Sequence, residues 1–505
     1  MGEVEQNQVH EGRLRRWLRP PEVETIGIDR IPEDERTATP WSFFFLSLGS
    51  AYSLGYVAFG WIPITLGLGF WDSITSMFVG TAVGCFILIP LILVGTRTAT
   101  NNATSSGAHF GVRGRLVGSL IVLLISIAYT AEAIWVGGDA ILASSGRLLG
   151  IDGLAESTAA RSITFAVLIV LVAVIALYGF KLMLRYETAM AVIGAALLLL
   201  AIPALWRGMD LGYAGGEYVL AGRWQTWMLS MVIVGVSGPM AFPGLAGDWA
   251  RYIPAHRYPA RKMLPPSLFG VYLSLAFPMA IGTLTAVAFA DPFAPYGQGL
   301  VDASPLWFVV IILVLGVLAT GGSAVTTQYS AGLDFQAIFA RLTRLQSTII
   351  TCAIGAAVVF LGALVWDLSE AIVVLFLVLL VLTTPWAIIV DIGYLLCRGQ
   401  YDLDSLQVFN RGERGGIYWF TAGFNWRAVL GWLCGSTFGL LALYTTAFEG
   451  PLANIAGGID VSFLGSMTIA AGVYLVLRAI FPEGDRLTLE APIVPVRAVR
   501  EGQRA

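Results

Sequence analysis

Charged side chains are scarce: Asp, Glu, Lys and Arg make up 12% of the 505 residues, against 57% hydrophobic ones. That is too little polar surface to cover a water-soluble globule of this length, so a lipid bilayer is the expected solvent. Histidine is rarer still. His10, His109 and His256 all fall outside the apolar runs, which excludes a histidine relay or an imidazole-ligated metal within the membrane. The four cysteines, Cys85, Cys352, Cys397 and Cys434, sit in apolar runs without the close spacings of zinc or redox sites and read as packing residues. A formal net charge of −3 gives no sign of a nucleic-acid partner, which would call for a strongly basic balance or a clustered basic face. Without an intramembrane His or Cys constellation or a metal motif, a membrane enzyme is disfavoured and no cofactor is implied. The inner loops are too short for the soluble output domain of a receptor.

What the chain has is apolar length. Twelve stretches are long enough to cross about 30 Å of hydrocarbon at 1.5 Å per residue: 41–62, 73–96, 116–144, 161–181, 188–206, 226–248, 264–290, 306–331, 347–366, 370–396, 428–448 and 461–481. With the N-terminus inside, all but four of the 30 Lys and Arg residues fall on the cytoplasmic side, the exceptions being Arg147, Arg161, Arg207 and Arg223. Loss of one span would scramble that asymmetry. The expectation is an all-α, multi-pass protein of the cell membrane with both termini cytoplasmic. Residues 1–40 form an Arg-rich tail, unlike a cleaved signal peptide. Residues 41–396 form a ten-helix core, 397–427 a cytoplasmic loop, 428–481 two peripheral helices and 482–505 a second tail.

Two spans carry helix-breaking runs at mid-depth. Gly49-Ser50-Ala51-Tyr52-Ser53-Leu54-Gly55 lies in the first, and Gly235-Val236-Ser237-Gly238-Pro239-Met240-Ala241-Phe242-Pro243-Gly244 in the sixth. Each proline removes a donor and crowds the carbonyl four residues back, so both runs are expected to open their backbone. Kinks or close helix crossings are the plainer alternative. Five helices separate the two runs, and five is odd, so a second set would enter the membrane inverted. That is the layout of a transporter whose ligands meet at two broken helices, with repeats at about 41–206 and 226–396.

A carboxylate at mid-membrane costs about 2.5–3.5 kcal/mol on insertion scales and is a functional candidate by default. The third span holds Tyr129, Glu132 and Asp139 at helical spacing on one face. Glu132 reads as an acceptor for ring N–H groups, as a proton-loading carboxylate, or as a neutral side chain bonded to a neighbouring helix. Tyr129 offers an aromatic face, and Asp139 an outer vestibule. In the eighth span, Ala319-Thr320-Gly321-Gly322-Ser323-Ala324-Val325-Thr326-Thr327-Gln328-Tyr329 is dense in oxygens that suit a hard monovalent cation, or else packs as small residues with self-bonded hydroxyls. Asp248, Asp334 and Asp391, at inner span ends, read as caps or as partners of Arg251, Arg341 and Arg398.

Several motifs resemble the nucleobase:cation symporter family, closest to its purine–cytosine permease branch: Glu24 to Thr37 before the first span, Gly67-Leu68-Gly69-Phe70-Trp71-Asp72 after it, Asp248-Trp249-Ala250-Arg251-Tyr252-Ile253-Pro254 closing the sixth, Tyr329-Ser330-Ala331-Gly332-Leu333, and Ile388-Ile389-Val390-Asp391. The resemblance implies a five-plus-five inverted-repeat core of the leucine-transporter type with two peripheral helices, alternating access, and import of a nucleobase or related ring such as cytosine, a purine, hydantoin or allantoin. Carried over by position, it implies substrate contacts at Tyr129, Glu132 or Ala133, Phe242, Ser323, Thr327 and Gln328, and Gly238 of the broken run in the sixth span is a further substrate-binding candidate. For sodium it implies Ser50, Ser53, Ala319 and Ser323. The third- and eighth-span asparagines common in purine–cytosine permeases are absent, and Gly322 replaces one of two paired hydroxyls. Cytosine and sodium are therefore open choices, a proton carried by Glu132 is a rival coupling ion, and an amino acid or vitamin is the alternative cargo.

Overall fold

A computed structural model describes residues 22–293, 295–366, 369–445, 448–456, 459–483 and 493–495. The tail arginines Arg13, Arg15, Arg16, Arg19, Arg486, Arg497, Arg500 and Arg504 lie outside the described residues. Ten helices among the described residues are long and apolar enough to cross a bilayer, and an eleventh crossing is a pair, Pro40–Ala51 and Leu54–Thr65, bent by 70°. The bent pair is span one. Spans two to ten are Phe70–Thr98, Leu116–Leu149, Thr158–Tyr178, Phe180–Leu205, Arg223–Ala250, Ala260–Ala286, Leu306–Ile338, Arg344–Val365 and Val374–Leu396, and Ser462–Ile480 follows. The expected run 428–448 is helical only over Trp426–Ala442, 17 residues, because Leu443 turns extended. Eleven crossings are thus seen among the described residues, and this helix sits at the short end of the roughly 17–25 residues that a crossing takes. A short antiparallel pairing, Glu413–Gly415 with Ile493–Pro495, ties the loop after span ten to the C-terminal segment.

Burial separates centre from rim. Spans six and three have 83% and 78% of their apolar windows buried inside the protein, against 28% for spans four and nine. Helices with so little protein contact face lipid, and Leu, Ile, Val and Ala make up more than half of each. The polar-bearing spans one, three, six and eight sit inside that rim.

The break in span one has a local cause. Thr39 opens the first half with a capping box to Ser42, with Pro40 at the first turn, where a missing N–H costs nothing. That half stops at Tyr52. Ser53 is extended (φ −119°, ψ 159°), and its hydroxyl accepts from Tyr56 N at 3.4 Å, capping the second half. The break falls within the glycine- and serine-rich run that the sequence marks.

Span six departs from expectation. Its proline-rich run does not unwind; Met231–Val236 widens into a π-helix, Ser237–Met240 resumes α, and Phe242–Ala250 restarts after a turn at Ala241. A π turn re-routes the ladder that Pro239 would interrupt. Pro243 occupies the opening turn of the last segment, where it is tolerated. Of spans one and six, both fully described, span one alone opens its backbone.

Candidate functional site

The stripe on span three faces the break in span one. Glu132 is buried, 8% exposed, and a Cβ added at Gly55 would lie 2.5 Å from its Oε1. Gly55 therefore supplies the space that this carboxylate fills. One turn back, Tyr129 stands between two rings. Phe376 of span ten stacks on it with centroids 4.3 Å apart and planes at 24°. Tyr56, in the second half of span one, lies 6.4 Å away and nearly parallel at 15°. Thr130 and Thr327 hydroxyls meet at 2.8 Å and join spans three and eight beside this stack.

Other expected site residues are engaged elsewhere. Gln328 donates to Thr351 Oγ1 at 2.9 Å and so turns toward span nine. Phe242 packs edge-on against Trp249 at 5.6 Å. Gly238 admits the Leu275 side chain of span seven. Ser50 donates to Ser47 O at 3.0 Å, and Ser53 is the helix cap described above. Ala319 and Ser323 are buried in an unbroken span eight. Asp139 pairs with Arg161 at 3.4 Å and is half exposed.

The aspartates at the span ends have near polar neighbours. Asp248 accepts from the Ser330 hydroxyl, and Asp334 from Asn101 at 3.3 Å. Arg251 is fully buried and takes Glu24 as its ion-pair partner at 2.9 Å. It also donates to Tyr329 Oη at 2.7 Å and to the Gly27 carbonyl, while Tyr252 Oη donates to Glu24 at 2.7 Å. Arg36 reaches Arg251 O, Thr96 O and Ile253 O. Residues 24–36 are thereby laced to spans two, six and eight and close the face of the bundle that carries the N-terminal segment. At the opposite face, Arg223 clasps Asp72 with two bonds of 2.6 and 2.7 Å.

Three residues that sequence reasoning passed over belong to this region. Tyr56 and Phe376 complete the aromatic stack. Glu187 is the third: span five begins at Phe180 rather than 188, which carries Glu187 into the helix, fully buried. Its signal was the face Met183, Glu187, Met190, Ala191, Gly194, Leu198, all buried and at helical spacing.

Comparison with known proteins agrees with this architecture. Residues 30–464 match the family described as permease for cytosine/purines, uracil, thiamine, allantoin. A putative purine-cytosine permease, YxlA, of Bacillus subtilis (strain 168) is 22% identical over 468 residues, covering 90% of this chain and 96% of the relative. Mhp1, a nucleobase-cation-symport-1 family transporter solved closed with bromovinylhydantoin bound, superimposes with a TM-score of 0.71 at 16% identity, covering 92% of this chain and 97% of its own. A Na+-coupled sialic acid symporter in a substrate-bound outward-open state gives 0.61 at 13% identity, covering 89% and 91%. These likenesses show the fold, a five-plus-five inverted-repeat core. The match across most of its length places the chain in the permease family for cytosine/purines, uracil, thiamine and allantoin.

Proposed function

We propose that this permease imports a planar nitrogen heterocycle, a nucleobase, hydantoin or allantoin type of ring, across the cell membrane together with a cation, by alternating access. Both termini and the Glu24–Arg251 closure are on the cytoplasmic side, as the distribution of Lys and Arg supports. The observation that carries the reading is the Tyr56–Tyr129 pair beside Glu132. Two faces that sandwich a third ring stand about 7 Å apart, twice the carbon contact distance. At 6.4 Å and 15° the pair is slightly too close. A ring entering there pushes Tyr56 outward, and Tyr56 rides on the half-helix that begins at the break. Substrate binding and movement of the hinge are then one event. Glu132, one turn away, accepts ring N–H groups. The coupling cation lies between the break and span eight, near Ser50, Ser53, Ala319 and Ser323. The hydantoin bound to Mhp1 is a ring of this class.

The test is a thermal-shift panel of nucleobases, hydantoins and vitamins on purified protein, with and without sodium and at two pH values, because a ligand that binds only the folded state raises its apparent stability. At least one heterocycle is expected to raise Tm, and Tyr129→Ala to abolish that shift, since base–aromatic stacking contributes about 1–3 kcal/mol per ring. A panel in which no heterocycle moves Tm under any condition overturns the substrate class.

A further inference from the structure

Beside the docked residues 24–36, the first half of span one and the start of span five leave a cleft of about 520 Å³ between them. Its span-five wall is one helical face, Lys181, Leu184, Arg185 and Thr188. Its span-one wall is Trp41, Ser42 and Phe45, again at helical spacing. Phe180 and Tyr252, stacked with centroids 3.9 Å apart and planes at 13°, line it as well. The charged residues lining the cleft are Lys181, Arg185 and Glu35, which leave one net positive charge. Lys181 stands 3.5 Å from Glu35, with side chains 58% and 42% exposed. That is longer than the about 2.7–2.9 Å of a charge-assisted bond, so Lys181 can turn to another anion. The cleft lies at headgroup depth. Trp41, 59% exposed, stands in the first turn of span one, where aromatic side chains mark the membrane–water interface. Phe45 meets Phe44 edge-on at 5.2 Å, and Phe44 stacks on Phe269 of span seven, 57% exposed. Apolar surface therefore runs from the cleft toward the acyl chains, and a soluble anion makes no use of it.

We infer that this cleft binds the headgroup of an anionic phospholipid, its phosphodiester held by Lys181 and Arg185 and its acyl chains lying along Phe45, Phe44 and Phe269. Basic pockets between membrane helices hold such headgroups, and the single charge of a phosphodiester matches the net charge of the cleft. A zwitterionic lipid brings its own ammonium, which the two basic side chains repel. The walls belong to different helices, so the site exists only while span five and the first half of span one keep this spacing. Lipid binding then favours that arrangement over others. With the N-terminal segment cytoplasmic, the inner leaflet supplies the lipid. Neither the cleft nor its charge depends on what the permease carries.

The test is native mass spectrometry of the purified full-length protein, delipidated in neutral detergent and titrated with dioleoylphosphatidylglycerol or dioleoylphosphatidylcholine. Wild type is expected to retain one phosphatidylglycerol about 10-fold more tightly than phosphatidylcholine. The double variant Lys181→Gln, Arg185→Gln is expected to bind phosphatidylglycerol about 30-fold more weakly, since each basic residue near an anionic lipid contributes about a fivefold factor. Arg261→Gln with Lys262→Gln removes an exposed basic pair outside the cleft, at the start of span seven, and is expected to leave binding unchanged. Glu35→Gln removes the acid that competes for Lys181 and is expected to tighten binding about fivefold. That gain decides the question if the cleft double variant is not monodisperse. Equal retention of the two lipids, or equal weakening in both double variants, overturns the inference. So does glycerophosphoglycerol, the soluble headgroup, binding as tightly as the lipid, or, where the cleft double variant does not fold, Glu35→Gln binding as wild type does.

Discussion

Replacing Glu132 with Gln is expected to weaken binding of a ring that donates N–H groups by about 10- to 150-fold. The magnitude follows from hydrogen bonds to a charged acceptor, about 1.5–3 kcal/mol, at about 1.4 kcal/mol per decade. Glutamine keeps the shape of the side chain beside Gly55 and one acceptor oxygen, but it loses the charge and adds a donor that faces the ring's own donors. A cycle with an N-methylated analogue isolates the contact: the analogue binds wild type more weakly and loses little further in Glu132→Gln. Isothermal titration of both ligands against both proteins checks this. Equal losses for the two ligands would mean that Glu132 supports the fold of the site without touching the ring.

The second large effect is expected at the closed face. Arg251→Ala removes the only ion-pair partner seen for Glu24 among the described residues, together with the donor to Tyr329 Oη and the Gly27 carbonyl. Breaking a buried pair by deleting one member costs about 3–5 kcal/mol, since the partner left behind stays desolvated. The loss falls mainly on the docked arrangement, because the contacts to Glu24 and the Gly27 carbonyl exist only while residues 24–36 are docked. Amides of residues 24–36 and of Phe242–Ala250 are therefore expected to exchange with deuterium faster by about two to three and a half decades in the variant, reporting local opening. Arg251→Lys restores the charge without the fork that engages three acceptors, and an intermediate rate is expected. Unchanged exchange in Arg251→Ala would show that the closure is held by apolar packing instead.

What was legible in the sequence was whatever backbone chemistry dictates locally. The run from Gly49 to Gly55 marks the break because its serine caps a new helix and its glycines admit neighbouring helices. Glu132 announces itself as a carboxylate deep in a long apolar run. Span six misled for a definable reason: proline density reports a disturbed ladder, and a π turn answers the disturbance as well as unwinding does. Glu187 was lost to a boundary. Lys181 and Arg185, the second and sixth residues of the helix, drew the expected start of span five past it, although both sit on the partly or fully exposed side while Glu187 faces inward. Tyr56 and Phe376 carry no local signal at all, because aromatics are 12% of the chain and stacking partners on different spans are set only by the fold. The pairing of Arg251 with Glu24 rather than Asp248 is likewise tertiary, since 227 positions separate the partners.

The central claim, that a flat ring lodges against the hinge of span one, is tested most directly by a structure of the protein with its tightest-binding heterocycle from the thermal-shift panel. The ring is expected between Tyr56 and Tyr129, with their centroids moved from 6.4 Å to about 7 Å and a ring N–H on the Glu132 carboxylate. Density for the ring at any other place, with Tyr56 and Tyr129 at their present spacing, would contradict it.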